Sequence, residues 1–255
     1  MENDTMSSTY FRYLLRLGDT ALIHAHRLSE WCGHGPILEE DIALTNISLD
    51  LLGQSRSLLT KAGDVEGKGR DEDALAFHRD ERNFFNVLMA EQPNGDFAFT
   101  ILKSFFISTF QVVTYSGLEK SEDVALKAIA TKSLKEALYH QRHSGQWVVR
   151  LGDGTEESNK RLLDAINELW RFTDDLFAHD PAMDALVSAS IIPASTALHH
   201  AWLEKVSATL NEATIGIPSN VFMMQGSIAA KHTEHLGYIL AEMQVLPRMY
   251  PDAKW

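Results

Sequence analysis

The sequence predicts an all-α fold built on long antiparallel helices, with additional peripheral helices. Apolar residues recur at steps of three and four over long runs, which is the period of an amphipathic α-helix. No stretch alternates polar and apolar side chains convincingly, so strands are not indicated. No glycine-rich linker, internal repeat or low-complexity tract divides the 255 residues. We therefore expect residues 1–255 to form a single helical domain, in which residues 1–8 are disordered.

The first two predicted helices are separated by a clear turn signal. Residues 9–32 have a helical period, and Gly33 followed by Pro36 ends the helix. Residues 37–62 carry two apolar stripes with a narrow polar line between them. A helix that is apolar on two sides belongs in the middle of a bundle. The stripes are Leu44, Ile47, Leu51 and Leu58, and Ile42, Leu49, Leu52 and Leu59, and the polar line is Asn46, Asp50, Gly53 and Ser57.

The remaining helices follow one another along the chain. After a loop at residues 63–70, a third helix is predicted at residues 71–91, and it ends in a turn at residues 92–96. Residues 97–119 are rich in Phe and β-branched residues and look like a strand in part, but their length favours a helix. Residues 179–193 are irregular or weakly helical. Further helices are predicted at residues 121–151, 160–177, 194–211 and 227–249.

The composition limits the possible partners and the compartment. Apolar residues make up 45% of the chain and the net charge is −12, so an acidic surface argues against nucleic acid or an anionic membrane as the main partner. No stretch approaches the roughly 20 uncharged apolar residues that span a bilayer, and the polar N-terminal segment is no signal peptide. The single cysteine, Cys32, excludes an intrachain disulfide and fits a cytoplasmic protein. No base is evident near Cys32, so we expect it to have a packing role.

Two half-motifs on the inner faces of the second and fifth predicted helices give the strongest chemical signal. Di-iron carboxylate bundles hold their metals with inward-pointing Glu-x-x-His motifs. Here Asp50 is followed three residues later by Gly53, and His140 is preceded by Ala137, so each helix carries half of such a motif. Two hard cations usually need four acids and two histidines. We therefore expect Asp50 and His140 to be core polar residues with satisfied hydrogen bonds, to each other or to other groups.

Two further clusters are weaker. His232 and His235 lie three residues apart, which suits half of a single-metal site but is more typical of a buried hydrogen bond or an interface between subunits. The run from Arg79 to Asn86 combines charged residues, amides and two phenylalanines. It is either an ordinary helix face with intrahelical ion pairs or the edge of a ligand site. No glycine-rich phosphate loop, nucleophile elbow or dinucleotide fingerprint is present in the sequence.

Several long segments resemble one known family, and they occur in the same order along the chain. They include LLRLGDTALI, RLSEWCGHGP, IALTNISLDLLGQ, FHRDERNFFN, EQPNGDFA, KEALYHQRHSGQWVVRLGDGT, INELWRFTDDLF and KHTEHLGYILAEMQ. They are similar to the C subunits of the bacterial phenylacetyl-CoA oxygenases, or ring 1,2-epoxidases, from about Tyr13 to Trp255. The resemblance implies a ferritin-like antiparallel four-helix bundle and a part in aerobic phenylacetate breakdown. In that family the A subunit holds the di-iron centre, and the C subunit is its non-catalytic structural partner.

The resemblance also gives the two half-motifs a meaning. Alignment with the catalytic A subunit places its two Glu-x-x-His motifs on the two half-motifs, and its remaining ligand positions on the first and fourth predicted helices. The aligned positions are Asp50 and Gly53, Ala137 and His140, and those near Arg27 and near Ile107. A guanidinium and an aliphatic side chain cannot ligate iron. No metal site is therefore expected in this chain.

The expected function is that of a catalytically silent subunit of a CoA-thioester mono-oxygenase, which docks the catalytic subunit and lines part of the substrate site. No cofactor is expected in this chain. The resemblance implies a di-iron centre in the A subunit and NADPH, flavin and an iron–sulfur cluster in the reductase component. The expected partners are the A subunit, the other oxygenase components, phenylacetyl-CoA at the interface and, for the isolated chain, a second copy. The alternatives are a self-sufficient ferritin-like di-iron oxidase and a structural helical dimer with no connection to an oxygenase.

The substrate contact is expected in the middle of the third predicted helix. The residues concerned are Asn83, Phe84, Phe85 and Asn86. A CoA thioester carries several negative charges, so an acidic protein needs a local basic exception to bind it. Arg79 and Arg82 lie three apart and can each pair bidentately with phosphate, and the phenylalanines can pack against pantetheine or adenine. The alternative is that both arginines pair with neighbouring acids or with another helix.

Overall fold

The described part of the chain is helical. The structure is a computed structural model that describes residues 2–251 and 253, with side chains from residue 6 onward. No strand occurs within these residues, so the predicted all-α class is confirmed. The helices are α1 Glu2–Ser29, α2 Leu38–Glu66, α3 Glu72–Phe77, α4 Leu88–Glu91, α5 Phe97–Leu118, α6 Val124–Gly152, α7 Glu156–Leu169, α8 Thr173–Leu176, α9 Asp184–Ser188, α10 Ser195–Glu212 and α11 Glu234–Met249.

The helices fall into two compact units, which we name for their places in the sequence. The terminal unit comprises Met1–Pro93, Asp180–Met183 and Gly226–Trp255. The central unit comprises Asn94–His179 and Asp184–Gln225. Each unit is built on one pair of long helices, in agreement with the ferritin-like helical fold that the resemblance implies.

In the terminal unit, α1 and α2 run antiparallel. The hydroxyl of Ser48 donates to the carbonyl of Ala25 at 2.8 Å, and that of Ser7 donates to the carbonyl of Val65 at 3.4 Å. Residues late in one helix therefore meet residues early in the other. The turn between them needs Gly33, whose φ of +80° is costly for residues with a Cβ. The pair buries leucines from both helices: Leu14, Leu17 and Leu28 from α1, and Leu44, Leu51 and Leu58 from α2.

In the central unit, α5 is the core helix and α6 runs antiparallel to it. The amide of Gln141 donates to the hydroxyl of Thr109 at 3.1 Å, and the rings of Phe97 and Trp147 meet edge to face at 5.2 Å. By length and composition α5 could cross a membrane, yet 89% of its most apolar 18-residue window is buried within the protein. Burial on nearly every side explains why this strand-like sequence is apolar all round and still helical.

The predicted third helix, residues 71–91, is wrong: the segment forms α3, a 3-10 turn at Glu81–Asn83, and α4. The buried carboxylate of Asp19 on α1 accepts from the guanidinium of Arg79 and, at 2.9 Å, from the backbone N–H of Phe85. These two bonds tie points six residues apart to one carboxylate. The backbone between the 3-10 turn and α4 is accordingly extended, with ψ near 148° at Phe84. A long-range contact thus overrides the local helical preference.

The second apolar stripe predicted on α2 is exposed, so the expectation that both stripes lie inside a bundle is wrong for this structure. Ile42 is 51%, Leu49 60% and Leu52 37% exposed, and Leu38 in register with them is 71% exposed. Only Leu59 of that stripe is buried. We call Leu38, Ile42, Leu49 and Leu52 the α2 stripe.

The remaining differences are at helix ends. Helix α1 begins at Glu2 and so includes most of the segment that the sequence suggested to be disordered, whereas Met1 lies outside the described residues. Helix α7 starts four residues early because Thr155 and Ser158 form a capping box. The predicted helix at residues 227–249 is shorter, since α11 begins only at Glu234.

Candidate functional site

On α2, the half-motif formed by Asp50 and Gly53 lies near the surface. Asp50 is half-buried, so the prediction that it is a core residue is wrong. A Cβ added at Gly53 would meet no heavy atom within 4 Å. A larger side chain therefore has room at this position. Position 53 therefore lacks a metal-binding donor atom because its residue is glycine, and crowding by neighbouring atoms is not the reason.

On α6, the half-motif lies in the core, as the sequence predicted. Ala137 is fully buried and His140 is 3% exposed. The small residues that share their face are also buried: Ala130, Ser133 and Ser144. The hydroxyl of Ser144 donates to the carbonyl of His140 at 2.7 Å and lies 3.4 Å from the hydroxyl of Ser108 on α5. The small face lets α5 approach α6 closely, and His140 is enclosed in that contact.

These positions do not fit a di-iron centre. Glycine and alanine supply no donor atom at two of the four motif positions. Of the other aligned positions, Arg27 bonds the carbonyl of Glu91 at 2.9 Å and the carboxylate of Glu30 at 2.8 Å, and Ile107 is fully buried and has no donor atom in its side chain. Among residues 6–251 and 253, no group of three or more His, Cys, Asp or Glu side chains is placed to hold a metal ion.

Two of the four predicted substrate-binding residues lie inside the protein. Phe84 and Asn86 are fully buried. The guanidinium of Arg79 forms a buried ion pair with Asp19 and stacks over the Phe84 ring at 4.2 Å. The predicted alternative, in which the arginine pairs with another helix, is therefore confirmed for Arg79. Phe84 and Asn86 stabilise the fold and are closed to a ligand.

The other two, Asn83 and Phe85, line a surface cavity of about 590 Å³. We call it the Asn83 cavity. It lies between the start of α1, the end of α2 and the 3-10 turn, and Arg12, Lys68 and Arg70 also line it. Each of these cations pairs with an acid of the same unit. Arg70 and Lys68 pair with Glu66 at 2.5 and 3.4 Å, and Arg12 pairs with Asp180.

The electrostatics of the Asn83 cavity follow from these pairs. The hydrogen bond from Arg70 holds the pKa of Glu66 below its ordinary value, and the charges of Arg70 and Lys68 act in the same direction. Glu66 thus stays ionised, but its single charge offsets only one of its two cations. Neutrality comes from the whole set: the four lining cations Arg12, Lys68, Arg70 and Arg79 are opposed by the lining acids Glu66 and Asp80 and by the paired acids Asp19 and Asp180. The cavity is polar but largely charge-neutral, which suits an uncharged polar chain better than a phosphate.

A buried network around Glu91 and His232 lies close to this segment in sequence and was missed at the sequence level. The two ring nitrogens of His232 lie 2.9 Å from the Glu91 carboxylate and 2.9 Å from the carbonyl of Phe84. Asn86 and the backbone of Thr233 also donate to Glu91, at 2.9 and 2.6 Å. The predicted buried hydrogen bond of His232 is thereby confirmed, but no spacing rule points to an acid that lies so far away in the sequence.

The charge state of His232 follows from its partners. Because a carbonyl and a carboxylate both accept, the doubly protonated imidazolium satisfies both contacts. Burial lowers the pKa of His232, but the hydrogen bond and charge of Glu91, the carbonyl of Phe84 and the charge of Glu81 outweigh it, so the pKa lies above its ordinary value of 6.5. His232 and Glu91, both fully buried, form an ion pair inside the terminal unit.

Cys32 was expected to have a packing role, and this prediction is wrong. Its side chain is exposed in the turn between α1 and α2. The turn is glycine-rich and leaves the thiol without a surrounding core.

The fold and these positions define a class: an all-α chain in which α2 carries Asp50 and Gly53, and α6 carries Ala137 and His140, each pair at the spacing of a Glu-x-x-His motif. A family model described as phenylacetic acid catabolic protein matches residues 1–255, and the chain belongs to this family. It is also 49% identical over 243 residues to an Escherichia coli protein named as the C subunit of 1,2-phenylacetyl-CoA epoxidase, a match that covers 95% of this chain and 98% of that protein. The family resemblance seen in the sequence is confirmed.

Proposed function

We propose that this chain is the structural, catalytically silent subunit of a multicomponent phenylacetyl-CoA 1,2-epoxidase in aerobic phenylacetate breakdown. The Escherichia coli relative matches this chain over nearly its whole length, and it is named as the C subunit of 1,2-phenylacetyl-CoA epoxidase. The observation that carries the silent role is the pair of half-motifs, in which Gly53 and Ala137 stand where a di-iron site needs donor atoms. The chemistry then belongs to a partner.

The proposed partner is the catalytic A subunit, which holds the di-iron centre, while NADPH, flavin and an iron–sulfur cluster belong to the reductase component. The α2 stripe supports this docking role, because four large aliphatic side chains in register on one helix are costly to leave in water. Without its partner, the chain pairs with a second copy over the same stripe. We place the complex in the cytoplasm, whose reducing conditions suit the exposed thiol of Cys32.

Metal content and co-purification test this function together. The purified chain, loaded anaerobically with ferrous iron, should retain none in stoichiometric amount, whereas a complex with the co-expressed A subunit should form and retain iron. The A subunit alone is the matched control for metal loading. Close to two irons per isolated chain, with oxygen-dependent turnover, would establish the self-sufficient oxidase instead. Failure to co-purify with a di-iron partner would leave a helical dimer unrelated to an oxygenase.

We further propose that Asn83 and Phe85 contact the pantetheine arm of the CoA substrate at the edge of the A subunit's channel. Both side chains line the Asn83 cavity, whose balanced charges suit an uncharged amide chain. Asn83→Ala should raise KM for phenylacetyl-CoA several-fold and leave complex assembly unchanged. Asn167→Ala, also exposed but on α7 of the central unit and away from both cavities, is the control. An unchanged KM with weakened assembly would place the segment in the interface between the subunits.

A further inference from the structure

A groove of about 580 Å³ runs between α6 and α10 in the central unit. Arg142 and Arg150 of α6 and Lys205 of α10 line it, together with a single acid, Glu212. It shares no lining residue with the Asn83 cavity. It is a separate site from the one proposed above.

The charges of this groove are not compensated within the protein. All four side chains are exposed, and none forms an ion pair with another residue in the part of the chain that the structure describes. Three cations and one acid give the groove a formal charge of 3 − 1 = +2, in a chain whose net charge is −12. The cations that line the Asn83 cavity are all engaged in ion pairs, in contrast: Arg12 with Asp180, Arg79 with Asp19, and Lys68 and Arg70 with Glu66. The groove is therefore a local exception to an acidic surface, and it attracts anions.

Both arginines are held by aromatic neighbours outside the groove. The guanidinium of Arg150 lies over the Trp147 ring at 5.4 Å, and that of Arg142 over the Tyr139 ring at 5.8 Å. A guanidinium attracted to an aromatic ring in this way keeps N–H groups that can bind phosphate bidentately.

The floor of the groove is apolar and shaped by a glycine. A Cβ at Gly145 would lie 3.3 Å from the ring of Phe105 on α5 and 3.9 Å from the methyl group of Thr209 on α10, so the glycine keeps the groove open at this point. Val149 and Ala208 complete the apolar lining, and the exposed amide of Gln146 lies at the rim. Cations at the edge of an apolar floor suit a ligand that has both phosphates and an organic body.

We propose that this groove binds organic polyphosphates through Arg142, Arg150 and Lys205. Its volume lies within the roughly 300–1,000 Å³ usual for small-molecule sites and exceeds what a single phosphate fills. The +2 charge matches a ligand with at least two ionised phosphate oxygens. The identity of the ligand rests on the proposed function, which brings a CoA thioester to this protein. The nucleotide end of coenzyme A is then the natural occupant, and a free nucleoside diphosphate shares its chemistry.

Calorimetric titration of the full, isolated chain tests the site, with coenzyme A, ADP and inorganic pyrophosphate as probes. Coenzyme A and ADP should bind saturably and more tightly than pyrophosphate, and added salt should weaken binding. The triple variant Arg142→Gln, Arg150→Gln, Lys205→Gln should lose at least about tenfold in affinity, since it removes three charge-assisted contacts. Tighter binding of coenzyme A than of ADP would show that the 3′-phosphate or the pantetheine of coenzyme A adds a contact, and equal binding that the part shared with ADP is recognised alone.

The matched control removes the same charge from exposed positions of α6 outside the groove: Lys127→Gln, Lys132→Gln, Lys135→Gln. It should bind like the natural chain. Equal losses in the two triple variants, no saturable binding, or pyrophosphate binding as tight as that of coenzyme A would overturn the proposal. So would a groove variant that binds coenzyme A normally but no longer assembles, because the groove would then dock a protein. The titration needs no partner protein, so its failure leaves the proposed function untouched.

Discussion

At the scale of single residues, the protein encloses the histidine of the α6 half-motif in its core. His140 is 3% exposed and stands one turn after a fully buried alanine, Ala137. Without the acid that would complete a metal motif, the imidazole has only packing and hydrogen bonding to contribute. Its contribution should therefore appear in stability and be absent from turnover.

Replacing His140 by alanine tests this assignment. The substitution leaves a void and removes a buried polar partner, so the free energy of unfolding should fall by about 1–3 kcal/mol. Urea denaturation of the isolated chain measures the loss, and the turnover number of the assembled complex should not change. His200→Ala, at an exposed position on α10, should leave the stability unchanged. A loss of turnover by several orders of magnitude in an intact complex would contradict the silent role.

The sequence predicted the position of His140 but not that of Asp50, and the reason is physical. On α6 small residues at helical spacing mark one face, and that face is buried. On α2 both sides of the polar line are apolar, so the pattern cannot tell which side is covered within the chain. The fold around Phe84 likewise depends on Asp19, which lies far earlier in the sequence and binds Arg79 and the backbone of Phe85, and no local pattern carries that information.

At the scale of helices, the α2 stripe is the largest departure from what the sequence suggested. The helix has apolar residues on two sides, and the structure covers only the side that faces α1. An uncovered row of this kind on a helix is the geometry by which helices dock in grooves, with anchors at three- and four-residue steps. The sequence correctly indicates that α2 is apolar on two sides. Under the proposed function, the second side is covered by a helix of another chain.

Leu49 at the centre of the α2 stripe provides the test. Leu49→Ser should weaken association with the catalytic subunit at least tenfold, because loss of a buried leucine side chain costs about 1.5–3 kcal/mol. The fold should survive, since Leu49 is 60% exposed in the isolated chain. Sedimentation or surface-binding measurements give the dissociation constant. Val124→Ser removes an aliphatic side chain that is 80% exposed in the central unit, and it should have no effect. Unchanged affinity for Leu49→Ser would move the interface elsewhere.

The contrast between α5 and residues 71–91 shows where helix prediction works. The composition of α5 looks like that of a strand, but its length without a break indicates a helix, and burial on all sides allows any apolar sequence there. Residues 71–91 look helical, but a carboxylate on α1 binds both Arg79 and the backbone of Phe85. Length is visible in the sequence, whereas a tertiary bond that reshapes the backbone is not.

At the scale of the whole molecule, the last segment of the chain returns to the unit that the first segment builds. The segment Gly226–Trp255 belongs to the same unit as Met1–Pro93, after two passages through the central unit. Three polar contacts fasten it there. Arg16 donates to the hydroxyl of Ser227 at 2.5 Å, Gln244 donates to the carbonyl of Arg79 at 2.9 Å, and His232 pairs with Glu91. The periodicity of apolar residues cannot predict that a late segment packs against the first helices. That residues 1–255 form a single domain stays a prediction.

The His232–Glu91 pair makes the stability of the terminal unit depend on pH. A histidine whose pKa is raised by folding stabilises the folded state. This contribution is complete below pH 6.5, the ordinary pKa of the unfolded chain, and it is lost as the pH rises through the folded-state pKa. In that window the free energy of unfolding should fall by up to about 1.4 kcal/mol per pH unit. Glu91 and Glu81 are the acids that act on the ring, and Arg27 bonds the carbonyl of Glu91.

Comparison with His232→Gln isolates this effect. The natural chain should lose its advantage over the variant as the pH rises above 6.5, measured by urea denaturation at each pH. The pKa of His26 is lowered by burial, so its effect on the free energy of unfolding changes with pH in the opposite direction. Because His26 is present in both proteins, its effect cancels in the comparison. His200→Gln should give the same curve as the natural chain. A difference between the natural chain and His232→Gln that does not vary with pH would show that His232 is neutral in the folded protein.

The exposed thiol in the turn between α1 and α2 has a practical consequence. Cys32 is the only cysteine of the sequence and lies six residues before Leu38, where the α2 stripe begins. A maleimide fluorophore therefore labels the natural chain at one site, with no background thiol to remove by mutation. A dye in this turn sits beside the surface on which the catalytic subunit is proposed to dock. Its emission should shift as water is displaced, so that assembly of the oxygenase can be followed in real time on an unmutated protein.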